Sequence, residues 1–285
     1  MKERLPVVDP VIDSHHHLWR YNPEEFEWID DSMAKLRQDF VLEDLARELA
    51  VAEVDGTVAV QARQSLEETE WLCSLAADSP FLRGVVGWAP IASPEFPHLL
   101  EKIRRLPRLV GLRHIVQAES AGFLDEPAFN EGVAHLSRTG MSYDILIFER
   151  QLEEAIRFVD RHPGQTFVLD HVAKPRIAFG EFEPWRTSMR ELGLRPNVLC
   201  KISGMVTEAN WSTWTLETLR PYLDACVESF GPWRLLTGSD WPVCLVASSY
   251  VGWWQRLREY FAPFSREERA AIFGGNAVRC YRLEP

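Results

Sequence analysis

The sequence predicts an α/β fold, a (β/α)8 TIM barrel, in one domain over residues 1–285. Three observations carry this. A short β-rich apolar run, a few turn residues and an amphipathic segment of about 10–18 residues recur eight times. No linker rich in Gly, Ser or Pro divides these repeats, and 285 residues suit one large α/β barrel. Three of the apolar runs end in histidine and the last ends in aspartate, which suits strand ends gathered around one site.

The first strand is expected over 10–15, running into His15-His16-His17. A tag remnant is a poor account of this triplet, which sits between Val11-Ile12 and Leu18-Trp19. Residues 18–40 contain Pro23 and many polar and aromatic side chains, and are read as a loop insertion over the barrel mouth. Leu42, Leu45, Leu49 and Val51 lie on or near one face of a helix over 41–53. The second strand is 57–61, with a helix over 67–78. The third is 82–88, closed by Pro90, with a helix over 94–105. The fourth is 109–114 with a helix near 127–139, and the fifth is 142–147 with a helix near 151–161. The sixth is 166–171, followed by a loop holding Lys174-Pro175 and a helix near 182–193. The seventh is 198–203 with a helix near 213–229, and the eighth is 234–240 with a helix near 249–261. Residues 266–281 form an extra C-terminal helix interrupted at Gly274-Gly275.

A formal charge of −11, from 31 basic and 42 acidic residues, argues against nucleic acid or an anionic membrane as partner. No apolar run approaches the roughly 20 residues that span a bilayer, and no charged-then-apolar leader opens the chain, so a cytoplasmic location is expected. The five cysteines are widely spaced without any Cys-x-x-Cys pair, as suits reduced thiols. Several of the eleven tryptophans, Trp19, Trp88 and Trp241 among them, follow predicted strands and are candidates to line a pocket. Tryptophans in 211–214 and 253–254 are candidates for a homo-oligomer interface, with helix packing the equal alternative.

Strand ends supply the candidate site. Side chains alternate along a strand, so His15 and His17 share a face and His16 takes the other. With His171 and Asp240 they make three nitrogens and one carboxylate for a single divalent ion, zinc before magnesium because magnesium prefers oxygen ligands. Asp240 is alternatively the base that takes a proton from water. Gln61, Arg63, Trp88, Arg113, His114, Asp144 and Trp241 are the remaining polar or aromatic strand-end groups, expected to contact substrate. Alternation lets only one of Arg113 and His114 face inward, and His114 is the one expected there. Lys201, near the middle of its strand, is expected to pair with a neighbouring carboxylate. No Gly-x-Ser-x-Gly elbow and no phosphate-cradling glycine loop occurs, which disfavours serine hydrolase chemistry and nucleotide cofactors.

Five stretches together carry a resemblance: Asp13-Ser14-His15-His16-His17-Leu18-Trp19, Gly111-Leu112-Arg113-His114, Leu169-Asp170-His171-Val172-Ala173-Lys174-Pro175, Lys201-Ile202-Ser203-Gly204 and Gly238-Ser239-Asp240-Trp241-Pro242. Over nearly the whole chain the sequence resembles the amidohydrolase superfamily, in the branch of sugar-lactone hydrolases that holds the L-fuconolactonases and L-rhamnonolactonases. The resemblance implies His-x-His on the first strand, a histidine after the sixth and Asp240 as general base. It departs from the broader superfamily in having neither a bridging lysine on the fourth strand nor a histidine on the fifth. It therefore implies one metal ion or metal-independent catalysis, and a small sugar lactone as substrate. The alternatives are a decarboxylase or an aromatic-pathway lactonase of the same superfamily, and a non-catalytic barrel that binds a sugar acid.

Overall fold

A computed structural model describes residues 10–284. Eight strands lie side by side in chain order, each parallel to the next. They are β1 (Ile12–His16), β2 (Gly56–Val60), β3 (Leu82–Gly87), β4 (Leu109–His114), β5 (Ser142–Ile145), β6 (Phe167–Leu169), β7 (Val198–Ile202) and β8 (Leu235–Thr237). The helices between them are α1 (Leu42–Ala52), α2 (Leu66–Asp78), α3 (Phe96–Ile103), α4 (Pro127–Leu136), α5 (Leu152–Arg161), α6 (Trp185–Gly193), the short α7 (Met205–Glu208), α8 (Leu216–Phe230) and α9 (Tyr250–Phe261). Parallel neighbours need crossover helices, and those helices bury the outer face of the sheet.

The circle closes where the segment after β8 meets β1. The Asp240 amide donates to the His15 carbonyl at 2.8 Å, and the His17 amide donates to the Trp241 carbonyl at 2.6 Å. Asp13 ties this seam from the outer side. Its carboxylate accepts from the Ser239 amide at 2.9 Å, the Ser239 hydroxyl at 2.6 Å and the Tyr250 hydroxyl at 3.0 Å.

Inside the barrel, Ile12, Val58, Val60, Val86, Val168 and Leu236 pack with Ala277, Tyr281 and Leu283 of the C-terminal segment. That segment is the expected extra helix with one difference. The helix is not broken at Gly274-Gly275 but widened: α10 (Arg266–Ala270) runs through a π-helical turn, Ala271–Gly275, into α11 (Asn276–Tyr281). A Cβ on Gly274 would lie 1.7 Å from the Pro10 carbonyl oxygen, so glycine is what lets this turn press against the start of β1.

The 18–40 insertion is anchored at both ends by paired backbone hydrogen bonds between Trp19 and Phe40, at 3.0 and 2.9 Å. It folds on an aromatic cluster of its own. Trp19 lies against Phe26, Trp28 and Phe40, and Trp241 meets Phe40 edge to face at 5.2 Å. Trp19 and Trp241 are both buried, and Trp19 also lines a small cavity with Phe26, Arg63 and Trp71. Trp253 and Trp254 are buried too, with the Trp253 indole donating to the Gly238 carbonyl at 2.8 Å, which removes 253–254 as an interface candidate. All five cysteines are free, as expected.

Candidate active site

The β1 histidines reach the axis through a bulge. Ile12 and Asp13 pair with Gly56 and Thr57, but His16 pairs with Ala59, so β1 spends three residues where β2 spends two. Unbroken alternation would put His16, not His15, on the face that Ile12 occupies. The extra residue inverts this phase, and His16 instead turns outward with its Nε2 3.0 Å from the Thr57 hydroxyl.

His171 arrives by a different device. On β6, Val168 faces inward, so Asp170 does as well and His171 would point away if the strand continued. The chain instead takes four consecutive left-handed residues, His171 (φ 52°), Val172 (φ 49°), Ala173 (φ 59°) and Lys174 (φ 48°). The Lys174 amide closes the turn on the His171 carbonyl at 2.8 Å. None of the four is glycine, so the turn costs on the order of 1 kcal/mol per residue, held by the packing around it. Gly204, itself at φ 62°, makes room for it: a Cβ there would lie 2.5 Å from His171 Nδ1. Asp240 is likewise left-handed, at φ 58°.

These turns bring the ligand atoms of His15, His171 and Asp240 to within 4.8 Å of one another, all three buried. His17 stands beside them, its Nε2 3.3 Å from His15 Nε2 and 3.4 Å from Asp240 Oδ1, but outside that mutual set of three. Each ring is fixed through its other nitrogen. His17 Nδ1 donates to the Val60 carbonyl at 2.7 Å, His171 Nδ1 meets the Ser203 hydroxyl at 2.9 Å, and His15 Nδ1 lies 3.3 Å from Asp170. This leaves Nε2 of His17 and His171 turned toward Asp240 Oδ1, at 3.4 and 3.9 Å, while His15 Nε2 also has Arg113 Nη1 3.4 Å away: a nitrogen-rich set gathered on one carboxylate. Burial drives His171 down to about 4 and His15 well below the usual imidazole value, so both rings are neutral at pH 7 and their lone pairs are free to ligate. Burial alone would raise Asp240, but His171, His17 and Lys174 around it hold it below the ordinary carboxylate value, so it stands ionised. The residues therefore fit a single divalent ion.

Below the histidines lies a buried charge network that the sequence shows only in part. Lys201 Nζ is 2.6 Å from Asp144 and 3.0 Å from Asp170, while Arg113 Nη1 is 3.0 Å from Asp170 and 3.4 Å from His15 Nε2. Tyr281 donates to Asp144 at 2.7 Å from the C-terminal plug. Lys201 thus makes the ion pair expected of it. Asp144, expected among the substrate contacts, is instead fully buried beneath the site and spends its oxygens on Lys201, Tyr281 and Ser142.

The order of Arg113 and His114 is also reversed. Arg113 takes the axial position, because β4 carries one residue more than β3 between the pairs Val85–Leu109 and Val86–Gly111, and this sets Gly111 and Arg113 inward. His114 stacks on Phe123 at 4.7 Å, with Glu119 2.8 Å away and the Trp88 indole donating to it at 3.3 Å. Gln61 braces Arg113 by accepting it on its backbone carbonyl and donating to the Arg113 carbonyl at 3.3 Å. Arg63 clasps the insertion, 2.5 Å from Glu25 and over the Phe26 ring.

Sequence reasoning missed Asp170 and Ser203 as contributors. Asp170 was signalled by its even spacing from Val168, which puts it on the inner face; Ser203 had no such signal, since its place depends on how β7 turns into α7.

A barrel closed on a His-His-Asp centre defines a class. The family profile described as Amidohydrolase matches residues 12–283, and the chain belongs to that family. It is similar to L-fucono-1,5-lactonase of Burkholderia multivorans, at 39% identity over 95% of this chain and 96% of that protein. It is also similar to L-fucono-1,5-lactonase of Burkholderia ambifaria, at 33% identity over 96% of each. Among solved structures, an amidohydrolase from Burkholderia multivorans with bound zinc superposes with a TM-score of 0.92, at 39% identity over 96% of this chain and all of that one.

Proposed function

We propose that this protein hydrolyses a sugar lactone, of the L-fuconolactone or L-rhamnonolactone type, to the open sugar acid, in carbohydrate catabolism in the cytoplasm. The observation that carries the reading is the buried convergence of His15, His171 and Asp240 at the strand ends of a chain 39% identical to a named L-fucono-1,5-lactonase. No helix of the described residues is long and apolar enough to cross a membrane.

In this reading the Asp240 carboxylate accepts a proton from water, and the resulting hydroxide equivalent adds to the lactone carbonyl. The tetrahedral intermediate collapses by breaking the ring C–O bond, and protonated Asp240 returns its proton to the departing ring oxygen. One carboxyl group and one hydroxyl result, and Asp240 is regenerated. Arg113, beside His15, supplies positive charge near the developing oxyanion. His15, His171 and Asp240, with His17 alongside, would hold one divalent ion, zinc by the nitrogen-rich donor set. When bound, such an ion supplies Lewis acidity at the carbonyl oxygen. Tight positioning of the rings by Asp170, Val60 and Ser203 keeps their Nε2 atoms on one point.

The test is a pH-indicator assay over a panel of aldonolactones with wild type and Asp240→Asn, run with metal analysis before and after chelation. The variant is expected to lose about 10²–10⁴ in kcat/KM. Absence of lactone turnover in the wild type, or near-full activity in Asp240→Asn, sinks the assignment. Loss of activity on chelation with recovery on adding zinc supports the metal; unchanged activity in metal-free protein removes it.

A further inference from the structure

The loops after β5, β6 and β7 line an open pocket of about 390 Å³ in which Phe148, Lys174 and Glu208 stand with Glu149, Arg150 and Arg176. Lys174 sits at the end of the left-handed turn that starts at His171. Because that turn closes between residues three apart, as in a 3-residue helix, positions 171 and 174 fall on the same side. Glu208 ends the short α7, which follows Gly204. Both charges are felt at the reacting centre, since Lys174 acts on His171 and Asp240, and Asp240 acts on Glu208.

The two heads form a long ion pair without a hydrogen bond. Lys174 Nζ and Glu208 Oε1 are 3.9 Å apart, beyond hydrogen-bond reach, and their side chains are 19% and 23% exposed. The ammonium is steadied from below by the Phe148 ring, its Nζ 5.6 Å from the centroid, which leaves its N–H groups free. A committed salt bridge would have closed this gap. A donor and an acceptor held apart in a pocket are instead complementary to a group that accepts from one and donates to the other, which is what a hydroxyl does.

We propose that Lys174 and Glu208 are a specificity pair for the lactone: one ring hydroxyl of the substrate donates to the Glu208 carboxylate and accepts from the Lys174 ammonium. This rests on the hydrolase reading and assigns that site its preference for a polyhydroxylated ring over a bare one. A site built around a hydroxyl rejects the analogue lacking it, because both charged heads are then left unpaired in the pocket.

The experiment compares wild type, Lys174→Met and Glu208→Gln on an aldono-1,5-lactone and on hydroxyl-free δ-valerolactone. The readout is the ratio of kcat/KM values for the two. Each variant is expected to lower that ratio by roughly 10–100-fold, mainly through KM for the sugar lactone. An unchanged ratio, whether activity falls equally on both lactones or not at all, overturns the pair and leaves a structural contact between loops. Calorimetry with the sugar acid and with 5-hydroxypentanoate makes the same comparison without turnover: the variants should bind the sugar acid more weakly and the simple acid no differently from each other. A wild type inert toward every lactone strikes the hydrolase reading, while the calorimetric comparison still decides whether the pair reads hydroxyls.

Discussion

Glu68 shows how one buried side chain sets a pH dependence of stability. Its Oε2 accepts from the amides of Ala62 and Arg63 at 3.0 and 2.9 Å, and the residue is 2% exposed. Burial pushes its carboxyl up to about 7 from 4.5, against the downward pull of those amides and of Arg63. The folded protein therefore holds a proton that the unfolded chain releases between pH 4.5 and 7, and stability falls as pH rises through that window. The whole interval is worth on the order of 3 kcal/mol. Urea unfolding at pH 5 and pH 8 should show the wild type losing about 1–3 kcal/mol relative to Glu68→Gln, whose amide oxygen can still accept both backbone donors. Parallel pH profiles for the two proteins contradict this account.

At the scale of elements, the left-handed turn at 171–174 and the left-handed Gly204 are one device. The turn folds His171 back over the mouth, and Gly204 vacates the space into which the ring swings. Gly204→Ala places a Cβ against His171 Nδ1 and at a backbone conformation that L residues disfavour. A stability loss of about 1–3 kcal/mol is expected. Activity should fall further than that loss explains, because the ring that faces Asp240 is displaced. Denaturation and kcat/KM measured on the same preparation separate the two effects, and a stable, fully active Gly204→Ala protein would falsify the coupling.

For the whole molecule, the barrel core is a charge-balanced lock between its floor and its mouth. Two cations, Arg113 and Lys201, face two carboxylates, Asp144 and Asp170, all buried. Tyr281 extends this network to the C-terminal plug, and Asp170 extends it to His15. Elements from β1, β4, β5, β6, β7 and the C-terminus are thereby tied through side chains, beyond the sheet's own ladder. Removing Lys201 leaves Asp144 buried without its cation, while Asp170 keeps Arg113. Lys201→Met should cost about 3–5 kcal/mol. Replacing Asp144 by asparagine in the same chain should restore part of that loss, which a thermal or urea melt of the single and double variants reads directly.

Much of this architecture is legible along the chain because its causes are local. Eight β-rich runs alternating with amphipathic segments must bury both faces of a parallel sheet, and that alone determines the barrel and lists the strand-end histidines. The outer and inner alternation of His15, His16 and His17 also follows from strand geometry. What local pattern does not carry is phase. One bulge in β1 and one extra residue in β4 decide which side chains meet the axis, so Arg113 goes inward and His114 goes to the rim. Burial then decides which polar groups remain for a substrate: Asp144 is consumed by Lys201 and Tyr281, whereas Lys174 and Glu208 are left with open hydrogen-bonding capacity. Sequence determined the fold and the residue types of the centre, because periodicity and burial act over a few residues. Tertiary structure decided which of them converge, because left-handed turns, bulges and charge pairing between distant strands depend on contacts that exist only once the barrel has closed.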